Sequence, residues 1–144
     1  MKNLLTTLGI CLLSLMTLTI SAAEEKKAEP QCPVSGKAIS KDHSVSYKGA
    51  EVYFCCPKCP KAFEMDTKKY AAKANHQLVQ TDQAKQVKCP ITGRPDREDK
   101  AVTVNGVEVN FCCGNCLKAA NEADDKVVML FNDKAFEKGF KVTE

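Results

Sequence analysis

Eight of the nine cysteines in this 144-residue chain fall into two matching sets. The first reads Cys32-Pro33-Val34-Ser35-Gly36 and, after a hairpin-like stretch, Phe54-Cys55-Cys56-Pro57-Lys58-Cys59. The second reads Cys89-Pro90-Ile91-Thr92-Gly93 and then Phe111-Cys112-Cys113-Gly114-Asn115-Cys116. Each cysteine of the second set lies 57 positions after its counterpart, with no insertion or deletion between the outer cysteines. Such a pattern serves one shared chemical purpose, and thiolate ligation of a metal is the leading candidate. Zinc takes four ligands in a tetrahedron with Zn–S of about 2.3 Å, and soft thiolates suit Cu(I) equally.

The spacing says which sulfurs could converge. A turn cysteine (Cys32) faces a strand-end and helix-start group (Cys55, Cys56, Cys59). Cys56 and Cys59 are spaced to sit on one side of a first helical turn, where free amide N–H groups and the helix dipole favour thiolate. Neighbours on a strand point to opposite faces, so Cys55 and Cys56 are not equivalent unless the chain turns between them. Either both bind, giving four sulfurs per copy, or one binds and the other is buried. The reading favours Cys32, Cys55 and Cys59 as the core trio, with Cys56 a facultative fourth ligand or exchangeable thiol. The second trio is then Cys89, Cys112 and Cys116, with Cys113 left open.

Two other chemistries compete. Eight cysteines can pair completely as structural disulfides in an oxidising compartment. The adjacent pairs argue against this, because a bridge between neighbours is strained. The C-x-x-C spacings at Cys56 and Cys113 also suit thiol–disulfide exchange. The chain lacks the alternating βαβ pattern of a thioredoxin-like fold, however, and that chemistry gives Cys32 and Cys89 no task. His43 aligns with Lys100 and His76 lies outside the repeated stretch, so both read as surface or internally satisfied residues. Met65 and Met129 read as core filler rather than soft ligands. Asp42 and Asp99 are repeated and read as turn terminators. Glu51 and Glu108 are repeated on the solvated face of the hairpins. With no other nucleophile, phosphate loop or paired-carboxylate site, the chain reads as a non-enzyme.

The elements that position the cysteines follow from local pattern. Cys32 to Gly36 is a tight turn, since Pro presets one backbone angle and Gly permits a positive one. Val45, Tyr47, Val52 and Phe54 alternate with polar residues around Lys48-Gly49, a hairpin signal repeated by Val102, Val104, Val107, Val109 and Phe111 around Gly106. Pro57 suits a first helical turn, so Cys59 sits near a helix start. Asn115 is read as the matching cap, with Cys116 just inside. The first helix passes a break near Asp66 and continues through Tyr70 and Ala72. Residues 77–80 are a strand candidate and residues 81–88 a connector. In the second copy a helix over residues 117–123 is followed by a strand candidate at 126–131 and a short helix at 133–138, stopped by Gly139.

Lys2, the apolar run from Leu4 to Ile20 and the small residues Ser21, Ala22 and Ala23 read as a secretory signal cut after Ala23. The run is short for a membrane span, is diluted by Thr and Ser, and has no basic stop-transfer flank. Ile10 is too bulky to precede a lipid-modified Cys11, which is lost with the signal. The mature chain is expected to be secreted or periplasmic, in a bacterial envelope, with no stable membrane insertion after cleavage. Its interspersed charges, net +3 before cleavage, point away from nucleic acid and anionic membrane as partners. Residues 24–31 read as a flexible leader. Residues 32–82 and 83–144 then form two units of 51 and 62 residues, a size at which a hydrophobic core alone is marginal and a metal or disulfide staple is usual.

The pattern Cys-Pro-Val-Ser-Gly, followed by Tyr47, Gly49, Val52-Tyr53-Phe54-Cys55-Cys56, Cys59 and Phe63, resembles the YHS domain and the closely related TRASH metal-binding domain. Cys32, Cys55 and Cys59 fit the TRASH spacing, as do Cys89, Cys112 and Cys116. The resemblance implies an α+β fold: two small treble-clef-like ββα cysteine-rich modules in tandem after the signal peptide. It also implies a role in heavy-metal binding, sensing or trafficking; the thiolates are expected to hold zinc or Cu(I) for metal handling or structural stabilisation, with a metal-trafficking or envelope protein as partner. Many relatives carry a second cysteine in the first turn, where this chain has Ser35 and Thr92. The second copy has Asn110 and Ala120 where the first has Tyr53 and Phe63.

Overall fold

The computed structural model describes residues 28–143. The expected signal segment, its cleavage after Ala23, Cys11 and the first part of the leader lie outside those residues. Among the described residues, no helix is long and apolar enough to cross a membrane.

Each repeat opens with an antiparallel hairpin. β1 (Ser40–Tyr47) pairs with β2 (Ala50–Phe54), and β4 (Arg97–Val104) with β5 (Val107–Phe111). The turns Lys48-Gly49 and Asn105-Gly106 hold positive φ at both residues: 54° and 84°, then 45° and 76°. This is the two-residue turn whose twist matches the strands, and glycine adopts it without steric cost. Val45 faces Val52 and Val102 faces Val109. Strand alternation then buries Val52, Phe54, Val109 and Phe111 completely. Both hairpins shift register at equivalent places, between Ser40 and Ser44 and between Arg97 and Ala101.

Each hairpin leads into a helix, α1 (Lys58–Met65) or α3 (Gly114–Glu122), giving an α+β fold with two ββα units. Between α1 and α3 in the chain come α2 (Thr67–Gln80) and the short strand β3 (Ala84–Gln86). Asp66 ends α1 and begins α2, its carboxylate accepting the Lys69 N–H at 3.3 Å. After α3 come α4 (Lys126–Phe131), α5 (Asp133–Gly139) and β6 (Phe140–Val142), which pairs antiparallel with β3.

Several local expectations are corrected here. Residues 77–80 are the last turn of α2, not a strand. The Ala-rich stretch before them continues the helix with nothing to stop it, and Thr81 N–H closes it on Gln77 C=O at 2.9 Å. Residues 126–131 are helix α4, not a strand, despite their β-branched valines. Asp125 accepts the Val128 N–H at 3.0 Å and starts the turn. Leu130 and Phe131 are both buried although adjacent, which strand alternation forbids. The connector at 81–88 contains β3. Asn115 lies inside α3, whose N-cap position is Cys113. Asp42 and Asp99 lie within strands rather than ending turns. Met65 is 88% exposed and fills no core, while Met129 packs at the core's edge.

One apolar core runs through both repeats, and α2 packs against β2 of the first and α4 and α5 of the second. His76 Nε2 donates to Val104 C=O at 3.0 Å, and its ring meets Phe131 edge-on at 4.7 Å. Asn75 Nδ2 donates to Phe131 C=O at 2.8 Å, and Gln80 Nε2 to Asn105 C=O at 2.9 Å. Lys48 Nζ and Tyr47 O–H both reach Asp133 Oδ1, at 2.9 and 3.1 Å. His76 is therefore an internally satisfied residue whose burial lowers its pKa.

Glutamine amides close the hairpin edges. Gln77 accepts the Tyr53 N–H at 2.7 Å and donates to Tyr53 C=O at 2.8 Å. Gln83 does the same for Glu51, at 2.8 Å in both directions. Gln86 holds Asn110 through its N–H at 2.9 Å and C=O at 2.6 Å. Each amide supplies the donor and acceptor that a further strand would have offered.

Candidate metal centre

The turn that carries the first cysteine of each set is built from the backbone. Cys32 N–H donates to Lys37 C=O at 2.7 Å, and Gly36 N–H donates back to Cys32 C=O at 2.8 Å. Cys89 N–H and Gly93 N–H make the matching bonds at 2.9 and 2.8 Å. Gly36 and Gly93 stand at φ of 71° and 73°, which lets the chain reverse so tightly. Pro33 and Pro90 are buried beneath the turn. The hairpin brings Cys55 and Cys112 up from the ends of β2 and β5. The first helical turn then presents Cys59 and Cys116.

Three sulfurs per repeat converge. The Sγ atoms of Cys32, Cys55 and Cys59 lie within 4.8 Å of one another, and so do those of Cys89, Cys112 and Cys116. Cys55 and Cys59 are 3.7 Å apart, Cys112 and Cys116 3.8 Å. A tetrahedral site with 2.3 Å Zn–S bonds has sulfur–sulfur edges of about 3.8 Å, so these donors fit a thiolate-bound ion. All eight cysteines of the two sets are free thiols at separations well above the ~2.05 Å of a disulfide. Cys32, Cys59, Cys89 and Cys116 are buried, whereas Cys55, Cys56, Cys112 and Cys113 are half-buried. Cys56 and Cys113 fall outside the trios but lie 3.5 and 3.6 Å from Cys59 and Cys116.

Within each trio the turn cysteine and the helix cysteine are shifted in opposite directions. Burial pushes Cys32 up, but the Ser35 hydroxyl and the amides of Cys55, Ser35 and Val34 outweigh it and bring the thiol to about 7. Cys89 is likewise brought to about 7 by the amides of Cys112, Thr92 and Ile91 and the Thr92 hydroxyl. Burial and the crowding of the other sulfurs push Cys59 up to about 12 and drive Cys116 the same way. A bound cation would favour the thiolate form of these crowded sulfurs. Amide N–H groups at the helix starts, from Lys58 onward in one repeat and from Cys116 in the other, lower Cys56 and Cys113.

Ser35 and Thr92 acquire a role that spacing did not show. Ser35 Oγ lies 3.1 Å from Cys55 Sγ, and Thr92 Oγ1 3.2 Å from Cys112 Sγ. Each hydroxyl also accepts an amide, from Lys37 or Arg94 at 3.3 Å. Ser35 and Thr92 thus each hydrogen-bond a sulfur of their own trio. The legible signal was the conservative Ser/Thr exchange between the copies. Neither His43 nor His76 takes part in either cluster.

The family model of the YHS domain matches residues 31–74. That span holds the first hairpin, α1 and Cys32, Cys55, Cys56 and Cys59. The second half stands beside it on its own geometry, a repeated hairpin, turn and trio. Neither the curated proteins nor the solved structures gave a match to the chain.

Proposed function

We propose that this protein binds one thiophilic metal ion in each repeat, zinc or Cu(I), for metal handling in an extracytoplasmic compartment. The observation that carries the reading is the pair of three-sulfur clusters, each built from a knuckle turn, a strand end and a helix start. Cys32, Cys55 and Cys59 would hold one ion, and Cys89, Cys112 and Cys116 the other. A three-sulfur site leaves a coordination position for water or a partner's ligand, which favours handling over a purely structural ion. The apolar leader sequence supports export, and the charge pattern supports a protein partner rather than nucleic acid.

Metal analysis and free-thiol counting on protein purified from its own source, without added metal or reductant, test the reading. The expected result is one ion per repeat, with thiols that react fully only after chelation. Protein with neither metal nor free thiols would be a disulfide-stapled domain, and the reading would fall.

A further inference from the structure

Cys113 lies outside its repeat's trio, yet it completes a second triangle. Its Sγ is 3.8 Å from Cys112 Sγ and 3.6 Å from Cys116 Sγ, and those two are 3.8 Å apart. Every edge of this triangle is close to the ~3.8 Å edge of a tetrahedral zinc–thiolate site. It shares the Cys112–Cys116 edge with the buried triangle that Cys89 completes. Cys113 is excluded from the mutual 4.8 Å cluster although it is near two of its members, so Cys89 is the sulfur it stands away from. The four sulfurs therefore form two three-sulfur faces joined along one edge. Fully buried Cys89 completes the inner face, and half-buried Cys113 completes the outer one. The first repeat repeats two edges of the outer triangle, with Cys56 3.5 Å from Cys59 and Cys55 3.7 Å from Cys59.

We propose that Cys113, and Cys56 in the first repeat, each complete an outer three-thiolate position through which a soft metal ion reaches and leaves the buried site. The inference rests on the metal-binding reading of the trios. Passage between the faces exchanges one ligand. The bonds to Cys112 and Cys116 persist, the bond to Cys113 Sγ breaks and a bond to Cys89 Sγ forms. Cys89 releases its proton to solvent and the freed Cys113 thiolate takes one up. No electron moves, and the ion keeps its oxidation state. Two retained bonds keep the ion from being stripped to water at any point, which is what a rapid but tight transfer site requires.

The test uses the protein loaded with Zn2+ and, separately, with Cu+. Iodoacetamide labelling followed by peptide mapping should modify Cys56 and Cys113 first, with the six trio cysteines protected. Protection of all eight would mean closed four-sulfur sites and would overturn the proposal. Release to a chromogenic chelator is then compared with that of Cys56→Ala and Cys113→Ala. The variants should still hold one ion per repeat but release it about tenfold more slowly, which corresponds to about 1.4 kcal/mol on the exchange barrier. Unchanged release would make these sulfurs bystanders, and lost stoichiometry would make them obligatory ligands; either result defeats the outer position. Failure of the metal-binding reading itself looks different: the unmodified protein, fully reduced, would take up no ion, and both claims would fall. The labelling arm needs no variant and so does not depend on how the variants fold.

Discussion

Gln77→Leu offers a direct test of how the cysteine-bearing hairpin is held. Gln77 is fully buried, and its amide makes three bonds: from Tyr53 N–H at 2.7 Å, to Tyr53 C=O at 2.8 Å and to Gln31 C=O at 3.0 Å. Leucine keeps most of the volume and removes all three. Gln31 is exposed, so its carbonyl finds water and adds little. The two Tyr53 groups face an apolar side chain instead, and each orphaned buried group costs ~1–3 kcal/mol. Tyr53 is only half-buried, so the lower part of that range applies and the total is about 2–4 kcal/mol. With a urea slope of ~1–3 kcal/mol per molar, the unfolding midpoint should fall by about 1–2 M. The assay is urea unfolding of reduced, metal-free protein followed by circular dichroism, so that ion binding does not contribute. Gln83→Leu removes the parallel clamp on Glu51 from a less buried position and should cost less. A midpoint shift below about 0.3 M for Gln77→Leu would refute the claim that this amide replaces a strand.

Other expectations follow from the same coordinates. Cys32→Ser and Cys89→Ser should each weaken binding in their own repeat by removing its buried position and spare the other, as measured by metal titration; weakening at both sites from one substitution would contradict two separate sites. Ion affinity should fall as pH drops below neutral, because Cys32 and Cys89 sit at about 7 and a proton must then leave each before the ion binds; occupancy that holds from neutral to mildly acidic pH would contradict thiolate ligation. Burial pushes Asp133 up, but Lys48, Asn75 and Tyr47 outweigh it and leave its pKa depressed, so its contribution is present above the ordinary carboxylate range and lost as pH falls through the folded value. Asp133→Asn should therefore flatten the acid side of a stability–pH curve, and an unaltered curve would show that the ion pair with Lys48 is idle. Gly49→Ala should cost about 1–2 kcal/mol, since it forces a side chain into the left-handed region, and Gly106→Ala should cost more in thermal unfolding, because its Cβ would also strike the Ala28 backbone.

The repeated features were the legible ones. Turn, hairpin, helix start and the convergence of a turn sulfur with two others are local, and each is written in residues such as Pro33, Gly36, Gly49 and Cys59. What was illegible lies where the copies differ or where a long-range partner decides. Residues 126–131 have strand composition, but β5 already has its partner in β4 and its outer edge is held by Gln86 at Asn110, while a capping aspartate and the flank of α2 were waiting. The glutamine clamps carry no sequence signature at all, since Gln77, Gln83 and Gln86 look like surface residues until their strands are placed. Met65 shows the converse error: it follows a helical apolar period yet falls in the last turn of α1, where nothing packs over it.

The difference between the copies explains why they share a core. Asn75 and Asn132 occupy the same repeat position, yet one lies inside a continuous helix and the other breaks one. Asn132 accepts the Ala135 N–H at 3.1 Å and donates to Val128 and Met129 carbonyls at 2.9 and 3.0 Å, ending α4 and starting α5. A helix end leaves carbonyls without partners, and Phe131 C=O, the last of α4, is such a group. Asn75 supplies the missing donor from the other repeat at 2.8 Å. The break in one copy thus creates the acceptor that the unbroken helix of the other copy satisfies. Two identical copies could not do this, because two continuous helices would free no carbonyl and two broken ones would present no rigid face. Divergence at the helices, with the cysteine turns and hairpins left alike, converts a tandem repeat into one packed body that carries two equivalent clusters.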